Sequence, residues 1–433
     1  MTELAKPVLI FSGAAAAPAD LVLAFEKRGF SPANFDFNSL DLNNMGHSKL
    51  AGIAPAAIVV ITENLSKQAE ELLKSIKARY IGLNIPVLAL MQSTPVLHNE
   101  IFDSLLIQPY HPAQIVLRTI GLMRLASMER EITLRLQTLK QDFGITHQTP
   151  QIQKNNPFNI LFVGKASPEF MIIINALQRK NVKVVAAFTS FTAFDYLYEQ
   201  TFDAVVMNGL GSMDAAIAVT QTMRRNAKLY HVPALLLANT ISNDEQKTVY
   251  EAGMNDVLDA NAPLVDISAR VLEQANFHRM HTNLKDEFGV LGGSLCTDTS
   301  TQLFNKSFFN AHLSRVVKFY HGQNMPVSLC LIRISPADHS DPDIAIGASY
   351  GQIGVMIKNL VRLQDITARI ETNVFAIAFP GQTAAQLQPV CERLTTILKC
   401  ATLSAPDTGE ALNIKLELTM NTLSENVTTT SAA

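Results

Sequence analysis

The stretch from Arg362 to Pro380, RLQDITARIETNVFAIAFP, contains a pair of residues whose types and spacing suit ligand binding. Arg362 and Asp365 stand three residues apart, and no other arginine of the chain is followed by an aspartate at this spacing. A guanidinium donates paired hydrogen bonds and a carboxylate accepts them, so the two could hold a ligand that carries both kinds of group. The alternative is an exposed ion pair, which would contribute only ~0.5 kcal/mol and have no function.

Two strand-like apolar runs follow Asp365 and predict a β-hairpin. Its turn reads Glu371-Thr372-Asn373-Val374 and contains no glycine. The polar pair therefore lies just ahead of a hairpin of ordinary composition, and the surrounding elements must decide what it can bind.

The composition is that of a folded chain with several domains. Its 433 residues, 48% hydrophobic and 17% charged, suffice for about three domains with buried cores. A formal net charge of −3 argues against binding nucleic acid through bulk electrostatics. The N-terminus lacks a signal-peptide pattern and no apolar run reaches the roughly 20 residues of a membrane span, so we expect a cytoplasmic protein without membrane insertion.

The cysteines and histidines do not predict a metal site. Cys296, Cys330, Cys391 and Cys400 are widely spaced, which favours free, mostly buried thiols over a disulfide framework or a zinc site. The ten histidines show no metal-ligand spacing with cysteines or acids.

An α/β pattern occurs twice in the first two thirds of the chain. Short Val/Ile/Leu runs alternate with amphipathic helices, as in a buried parallel sheet covered on both faces. NILFVG, DAVVMN and VPALLLA of the second copy match PVLIFSG, AIVVIT and IPVLALM of the first. Each copy is predicted to end in a long helix, around 113–142 and 267–288, with Gly144 and Gly289 as helix stops. We expect these helices to pack between domains or protomers.

Both copies resemble the receiver domains of two-component response regulators, which are flavodoxin-like doubly wound sheets. An active receiver holds Mg²⁺ with an acidic pair, accepts phosphate on an aspartate, and needs a Thr or Ser and a Lys at two further strand ends. The matching positions here hold Ser12, Gly13, Thr62, Met91 and Gln108 in the first copy, and Gly164, Lys165, Asn208, Ala238 and Ala260 in the second. The resemblance therefore implies pseudo-receiver domains that dimerise or dock partners and do not take phosphate.

The last third resembles nucleotidyl-cyclase-like GGDEF domains. The matching residues are Asp298, Thr301, Leu303, Asn305 and Phe309 at the domain entry, and Ala368, Arg369 and Phe375 in the hairpin. The domain order is similar to that of the PleD-type family of receiver–receiver–GGDEF proteins, and in kind to its non-catalytic, PopA-like members. It implies an α/β chain of two tandem flavodoxin-like receiver domains, 1–143 and 151–290, followed by an α+β GGDEF domain, 291–433, shortened at its C-terminus.

The catalytic positions of this family are replaced. Condensing two GTP molecules takes carboxylates for two metal ions, yet Arg333 stands where the family has one at a strand end. The family's Gly-Gly-acid-acid turn is here residues 371–374, whose side chains would crowd the substrate. Asp341 stands at the guanine-reading position, with Asp338 and Asp343 beside it. The resemblance thus implies no enzyme activity, no bound metal and no cofactor.

In this family an Arg-x-x-Asp at this place is the inhibitory site that binds cyclic di-GMP, and a second arginine follows in the next helix. That second arginine is Arg393 here. A guanidinium matches the O6/N7 edge of guanine, and a carboxylate accepts from its N1–H and amino group. The resemblance implies a cyclic di-GMP site made by Arg362, Asp365 and Arg393. Three basic residues of the second receiver are candidates to close over the ligand: Arg179, Lys180 and Lys183.

The implied function is a non-catalytic cyclic di-GMP receptor that signals to protein partners of an adaptor type. Its receiver domains would form a homodimer, and the family suggests a role in cell-cycle proteolysis with a location at a cell pole. Two alternatives stay open: a dimeric signalling scaffold without a ligand, and a residual diguanylate cyclase.

Overall fold

The computed structural model describes residues 6–13, 17–37, 54–63, 66–92, 101–147, 156–239, 241–337, 346–401 and 414–423. Within these ranges the chain forms three units, each built on its own five-stranded sheet.

The first unit is a parallel sheet with strand order β2-β1-β3-β4-β5. Its elements are β1 Lys6–Ser12, α1 Ala19–Glu26, β2 Phe30–Asp36, β3 Ala57–Ile61, α2 Lys67–Arg79, β4 Val87–Met91, β5 Ser104–Ile107 and α3 Pro112–Phe143. This is the flavodoxin-like 2-1-3-4-5 order of doubly wound sheets.

The second unit repeats this order from the opposite edge, β10-β9-β8-β6-β7, and all its pairings are parallel. Its elements are β6 Asn159–Val163, α4 Pro168–Gln178, β7 Lys183–Ala187, α5 Ser190–Glu199, β8 Ala204–Asn208, α6 Asp214–Arg225, β9 Ala234–Ala238, α7 Asn243–Glu251, β10 Asp256–Asp259 and α8 Leu264–Val290. The predicted tandem repeat of one α/β fold is confirmed.

The apolar runs are continuous because both faces of each sheet are covered. In β1, Val8 and Ile10 belong to the core under α1 and α3, whereas Leu9 and Phe11 belong to the core under α2. The consecutive residues Val8–Ser12 of this strand are all buried, so the run shows no polar alternation.

The third unit is a mostly antiparallel sheet of order β11-β13-β14-β12-β15, in which only β11 and β13 pair in parallel. Its elements are β11 Phe304–Asn305, α9 Lys306–His321, β12 Val327–Pro336, α10 Tyr350–Leu360, β13 Ile366–Glu371, β14 Val374–Pro380, α11 Gln388–Cys400 and β15 Ile414–Thr422. The architecture is α+β, and the predicted hairpin is β13–β14.

Two boundaries differ from the prediction. Gly144 stops α3 in the left-handed region, at φ +66°, as expected, but Gly289 lies inside α8, which continues to Val290. Arg333 does not end its strand: β12 runs on to Pro336 because β15 pairs with it along its whole second half. The cysteine prediction is confirmed, since all four thiols are free and only Cys400 is exposed.

The long helix α3 joins the units. It packs against α8 of the second unit and α9 of the third, which is why buried residues occur around its whole circumference. Leu134 enters an apolar cluster with Phe309 and Val316 of α9, and Met128 enters another with Phe288 of α8. Among the helices of the described ranges, none combines the length and apolarity of a membrane span.

Candidate ligand site at the Arg-x-x-Asp turn

Residues 362–365, hereafter the Arg-x-x-Asp turn, connect α10 to β13. The Arg362 backbone N–H donates to Asp365 Oδ2 at 2.8 Å, and the Asp365 N–H donates to the Arg362 carbonyl at 3.0 Å. The aspartate thus closes the turn through its own side chain, which is a frequent use of this residue type in turns. The spacing of three residues therefore has a structural role as well as any role toward a ligand.

The side chains of Arg362 and Asp365 differ in their exposure to solvent. Arg362 is exposed, whereas Asp365 is only 6% exposed. Burial raises the pKa of Asp365 to about 7, although the Arg362 N–H and the Arg362 charge oppose that shift. This carboxyl therefore keeps its proton to a higher pH than an ordinary surface aspartate.

Arg393 reaches the same place from α11. Its Nη2 donates to the carbonyl oxygen of Leu360, the last residue of α10, at 2.6 Å. A cation at a helix C-terminus interacts favourably with the exposed carbonyls there. The structure therefore brings Arg393 next to the segment that leads into Arg362, and Arg393 remains exposed to solvent.

The Arg-x-x-Asp turn is docked on α3 of the first unit. Arg135 Nη2 donates to the carbonyls of Leu363 at 3.2 Å and Asp365 at 3.3 Å, and Gln364 Nε2 donates to Ser127 Oγ at 3.2 Å. Leu363 packs on the apolar cluster that includes Met128 of α3. Both the polar and the apolar contacts of the turn are thus made across a domain boundary.

A buried polar network lies behind this contact. Glu131 Oε1 accepts from Arg135 Nε at 2.7 Å and from His312 Nε2 of α9 at 2.9 Å, and Thr138 Oγ1 lies 2.9 Å from His312 Nδ1. Burial would raise the pKa of Glu131, but the positive charge of Arg135 and the contact with His312 bring it below its usual value. Sequence reasoning missed these residues because a Glu and an Arg four apart on a helix are typical of a solvated face.

Lys6, at the start of β1, belongs to the same neighbourhood. Burial lowers its pKa, the positive charge of Arg362 lowers it further, and the negative charge of Asp365 opposes the shift. The first unit therefore contributes an amine as well as helix α3 to the surroundings of the turn. The basic residues that we predicted to close over it, 179, 180 and 183, lie at the end of α4 and the start of β7, and among the described residues they make no hydrogen bond to the turn.

The hairpin end of the third unit holds no metal-binding arrangement. Arg333 is exposed and pairs in register with Val374 on one side and Glu417 on the other. Asn373 Nδ2 donates to Ser335 Oγ at 3.3 Å, and Arg369 Nε and Nη2 donate to the Thr372 carbonyl at 2.9 and 2.6 Å, so side chains already hold the turn. Across the described ranges, no group of three or more His, Cys, Asp or Glu residues is arranged to hold a metal ion. Residues 338, 341 and 343 lie outside the described residues.

The receiver-type positions lie at the carboxyl ends of the strands, as predicted, but carry no carboxylate. In the second unit Asn208 ends β8, and its Nδ2 donates to the Lys165 carbonyl at 2.6 Å, which closes this edge with a neutral amide. In the first unit Ser12 and Met91 end β1 and β4, and Thr62 and Gln108 follow β3 and β5. Mg²⁺ requires oxygen ligands that include carboxylates, and these positions offer none.

Comparison with known proteins finds relatives for part of the chain. No family model matches the chain. The chain is 21% identical over 221 residues to the response regulator PleD of Caulobacter vibrioides, which covers 50% of this chain and 48% of PleD. It thus spans about half the length of the curated relatives that it matches. The sequence resembles that of a response regulator.

Two solved structures each cover about three tenths of the chain. The FimX GGDEF domain of Pseudomonas aeruginosa is 20% identical, with 31% of this chain and 83% of that domain covered and a TM-score of 0.27. A response regulator from Thermotoga maritima is 18% identical, with 28% and 98% covered and a TM-score of 0.26. The strand orders described above, and not these two alignments, define the fold.

Proposed function

We propose that this protein is a non-catalytic cyclic di-GMP receptor that binds the dinucleotide at its Arg-x-x-Asp turn and signals by changing how its domains dock. The observation that carries the proposal is the meeting of Arg362, Asp365 and Arg393 around the C-terminal end of α10. Guanidinium groups bind guanine and phosphate, and a carboxylate binds guanine, so these three side chains supply the groups that the ligand needs.

Each residue has a defined part in this proposal. Arg362 and Arg393 are exposed, so they can meet the O6/N7 edge of guanine or a phosphate without first being uncovered. Asp365 would accept from the guanine N1–H and amino group. Its carboxyl is buried against α3, so a ligand that uses it must displace or reshape the docked first unit.

This burial supports a two-state device. In the docked state Arg135 holds the carbonyls of Leu363 and Asp365, and the turn is closed. A ligand that binds better to the open turn shifts the population toward release of α3. The surface uncovered on α3 and α9 would then be available to a protein partner of an adaptor type, or to a second copy of the chain.

The absence of catalysis is part of the proposal. Arg333 places a positive charge at the metal position of the family, and Thr372 and Asn373 fill the turn that the family builds with glycine and acid. Two carboxylate-held metal ions could not be assembled from these side chains.

Isothermal calorimetry of the full chain with cyclic di-GMP tests the binding. We expect saturable binding at micromolar concentrations, and Arg362→Ala should weaken it at least tenfold, since a charge-assisted hydrogen bond is worth roughly 1.5–3 kcal/mol. Arg225→Ala, an exposed arginine on the second unit, is the matched control and should leave the affinity unchanged.

The rivals predict other results. A ligand-free scaffold shows no heat of binding at micromolar concentrations, and that result would refute the receptor proposal. A residual cyclase converts GTP with Mg²⁺ into the dinucleotide, so product formation above the buffer blank would refute the non-catalytic part alone.

A further inference from the structure

A cavity of about 110 Å³ lies between the first and second units. Helix α3 contributes Arg118 and Arg124, and α8 contributes Gln274, His278 and His281. The loop before β9 adds His231, so the wall comes from both units. This volume has room for several waters or a small ion. It is separate from the three residues proposed to bind the dinucleotide.

The titratable side chains that line this cavity are all arginines and histidines. None of its lining residues is an aspartate or a glutamate. Arg124 Nη1 lies 3.1 Å from His231 Nδ1, and the rings of His231 and His281 are 4.4 Å apart. Burial and the neighbouring basic groups lower the pKa of His231 to about 3 and that of His281 to about 4. At neutral pH the positive charge of the wall therefore comes from the two arginines, of which Arg118 is already ion-paired with Glu273, a residue outside the lining.

Two buried nitrogen atoms of the wall lack a hydrogen-bond partner among the described residues. The side chain of Arg118 is 5% exposed, and its Nη1 is paired with Glu273 at 2.8 Å. Its Nη2 makes no hydrogen bond and lies 4.0 Å from the nearest carboxylate oxygen, on Asp256. His278 Nδ1 is likewise buried without a partner. Leaving such groups unsatisfied is costly, and an occupant with several acceptor atoms removes the cost.

We infer that this cavity is a binding site for a small inorganic oxyanion of the phosphate class. A tetrahedral oxyanion presents several acceptor oxygens and a negative charge to a wall that offers guanidinium, imidazole and amide groups and no acid. Because arginines of α3 face residues of the second unit across the cavity, the bound anion would hold the two units together. The ion would act as a structural bridge at the interface, with no reaction.

The test is calorimetric titration of the full chain with sodium phosphate, against sodium chloride at equal ionic strength. We expect saturable binding of phosphate, and Arg124→Gln should weaken it at least tenfold. His281→Leu is a second variant on the opposite wall and should weaken phosphate binding in the same direction. It removes no salt bridge seen in the described residues, so it keeps the test valid if the arginine variant folds poorly.

Two controls separate this site from other basic groups. Arg225→Gln should leave phosphate affinity unchanged. Arg362→Ala should reduce it far less than either cavity variant, because the Arg-x-x-Asp turn does not line the cavity and Arg362 acts on Arg124 only through its charge. No binding beyond the chloride blank overturns the inference. So does binding that survives both cavity variants, or binding that is lost in Arg362→Ala, which would assign the anion to the turn.

Discussion

Asp365→Asn separates the structural and the ligand-binding roles of the Arg-x-x-Asp turn. Asparagine keeps an oxygen for the Arg362 N–H but cannot ionise, so the variant removes only the charge that burial penalises. The pKa of Asp365 is raised by burial from an ordinary 3.8 to about 7. One pKa unit corresponds to 1.36 kcal/mol, so the ionised carboxylate disfavours the folded, docked state by about 4 kcal/mol once the pH exceeds 7.

The pH dependence follows from linkage. Between about pH 4 and pH 7 the unfolded chain has lost the proton of Asp365 while the folded chain keeps it, so stability falls as the pH rises through this window. The penalty is about 1.5 kcal/mol at pH 5 and about 4 kcal/mol at pH 8 by the same relation. Asp365→Asn should therefore stabilise the protein at both pH values, and by roughly 2–3 kcal/mol more at pH 8.

Urea unfolding followed by circular dichroism measures this difference, since the chain contains no tryptophan for fluorescence. Asp195→Asn, at an exposed aspartate of α5, is the matched control and should show no such pH dependence. A gain that is equal at pH 5 and pH 8 would refute the argument, because it would mean that Asp365 is not a buried carboxyl. The same variant should bind cyclic di-GMP more weakly, so stability and affinity should move in opposite directions.

Three further substitutions test the packing of the helices. Glu131→Gln removes the only carboxylate within salt-bridge distance of the Arg135 guanidinium among the described residues. It should lower the unfolding free energy by about 3 kcal/mol, since one partner of a buried ion pair is left without the other. Gly354→Ala should destabilise the third unit, because its Cβ would fall on the backbone of Thr301. By contrast, Gly121→Ala, with open space at the new Cβ inside α3, should stabilise by about 0.5–1 kcal/mol.

The effect of each of the three substitutions is measured as a shift of the urea midpoint. For the first, Glu26→Gln on exposed α1 surface is the control, and a loss no larger than that control's would show that the buried network contributes little. For the glycine pair, shifts of the same sign would contradict the packing, since a new methyl group would clash with the Thr301 backbone at Gly354 and meet open space at Gly121.

Much of the fold follows from local pattern. The Val/Ile/Leu runs of β1, β3 and β4 and their counterparts β6, β8 and β9 predict two buried parallel sheets, because a strand covered on both faces has no polar side. The hairpin β13–β14 and the residues of its turn can likewise be read from the chain. Helix ends are harder to predict: Gly289 has the composition of a stop, yet the backbone there stays helical.

The sequence also determines that the phosphate-accepting residues of receivers are missing at the strand ends, and that the glycine-acid pattern is missing at the hairpin turn. Local pattern sets these positions, and residues of other types occupy them. Only the tertiary structure decided that the turn holding Asp365 docks on α3, and that Glu131 meets His312 across 181 residues of chain. These contacts depend on how separately folded units pack, and no periodicity within either segment carries that information. For the same reason an ordinary Arg-x-x-Asp motif becomes a half-buried pair with one exposed guanidinium and one carboxyl of raised pKa.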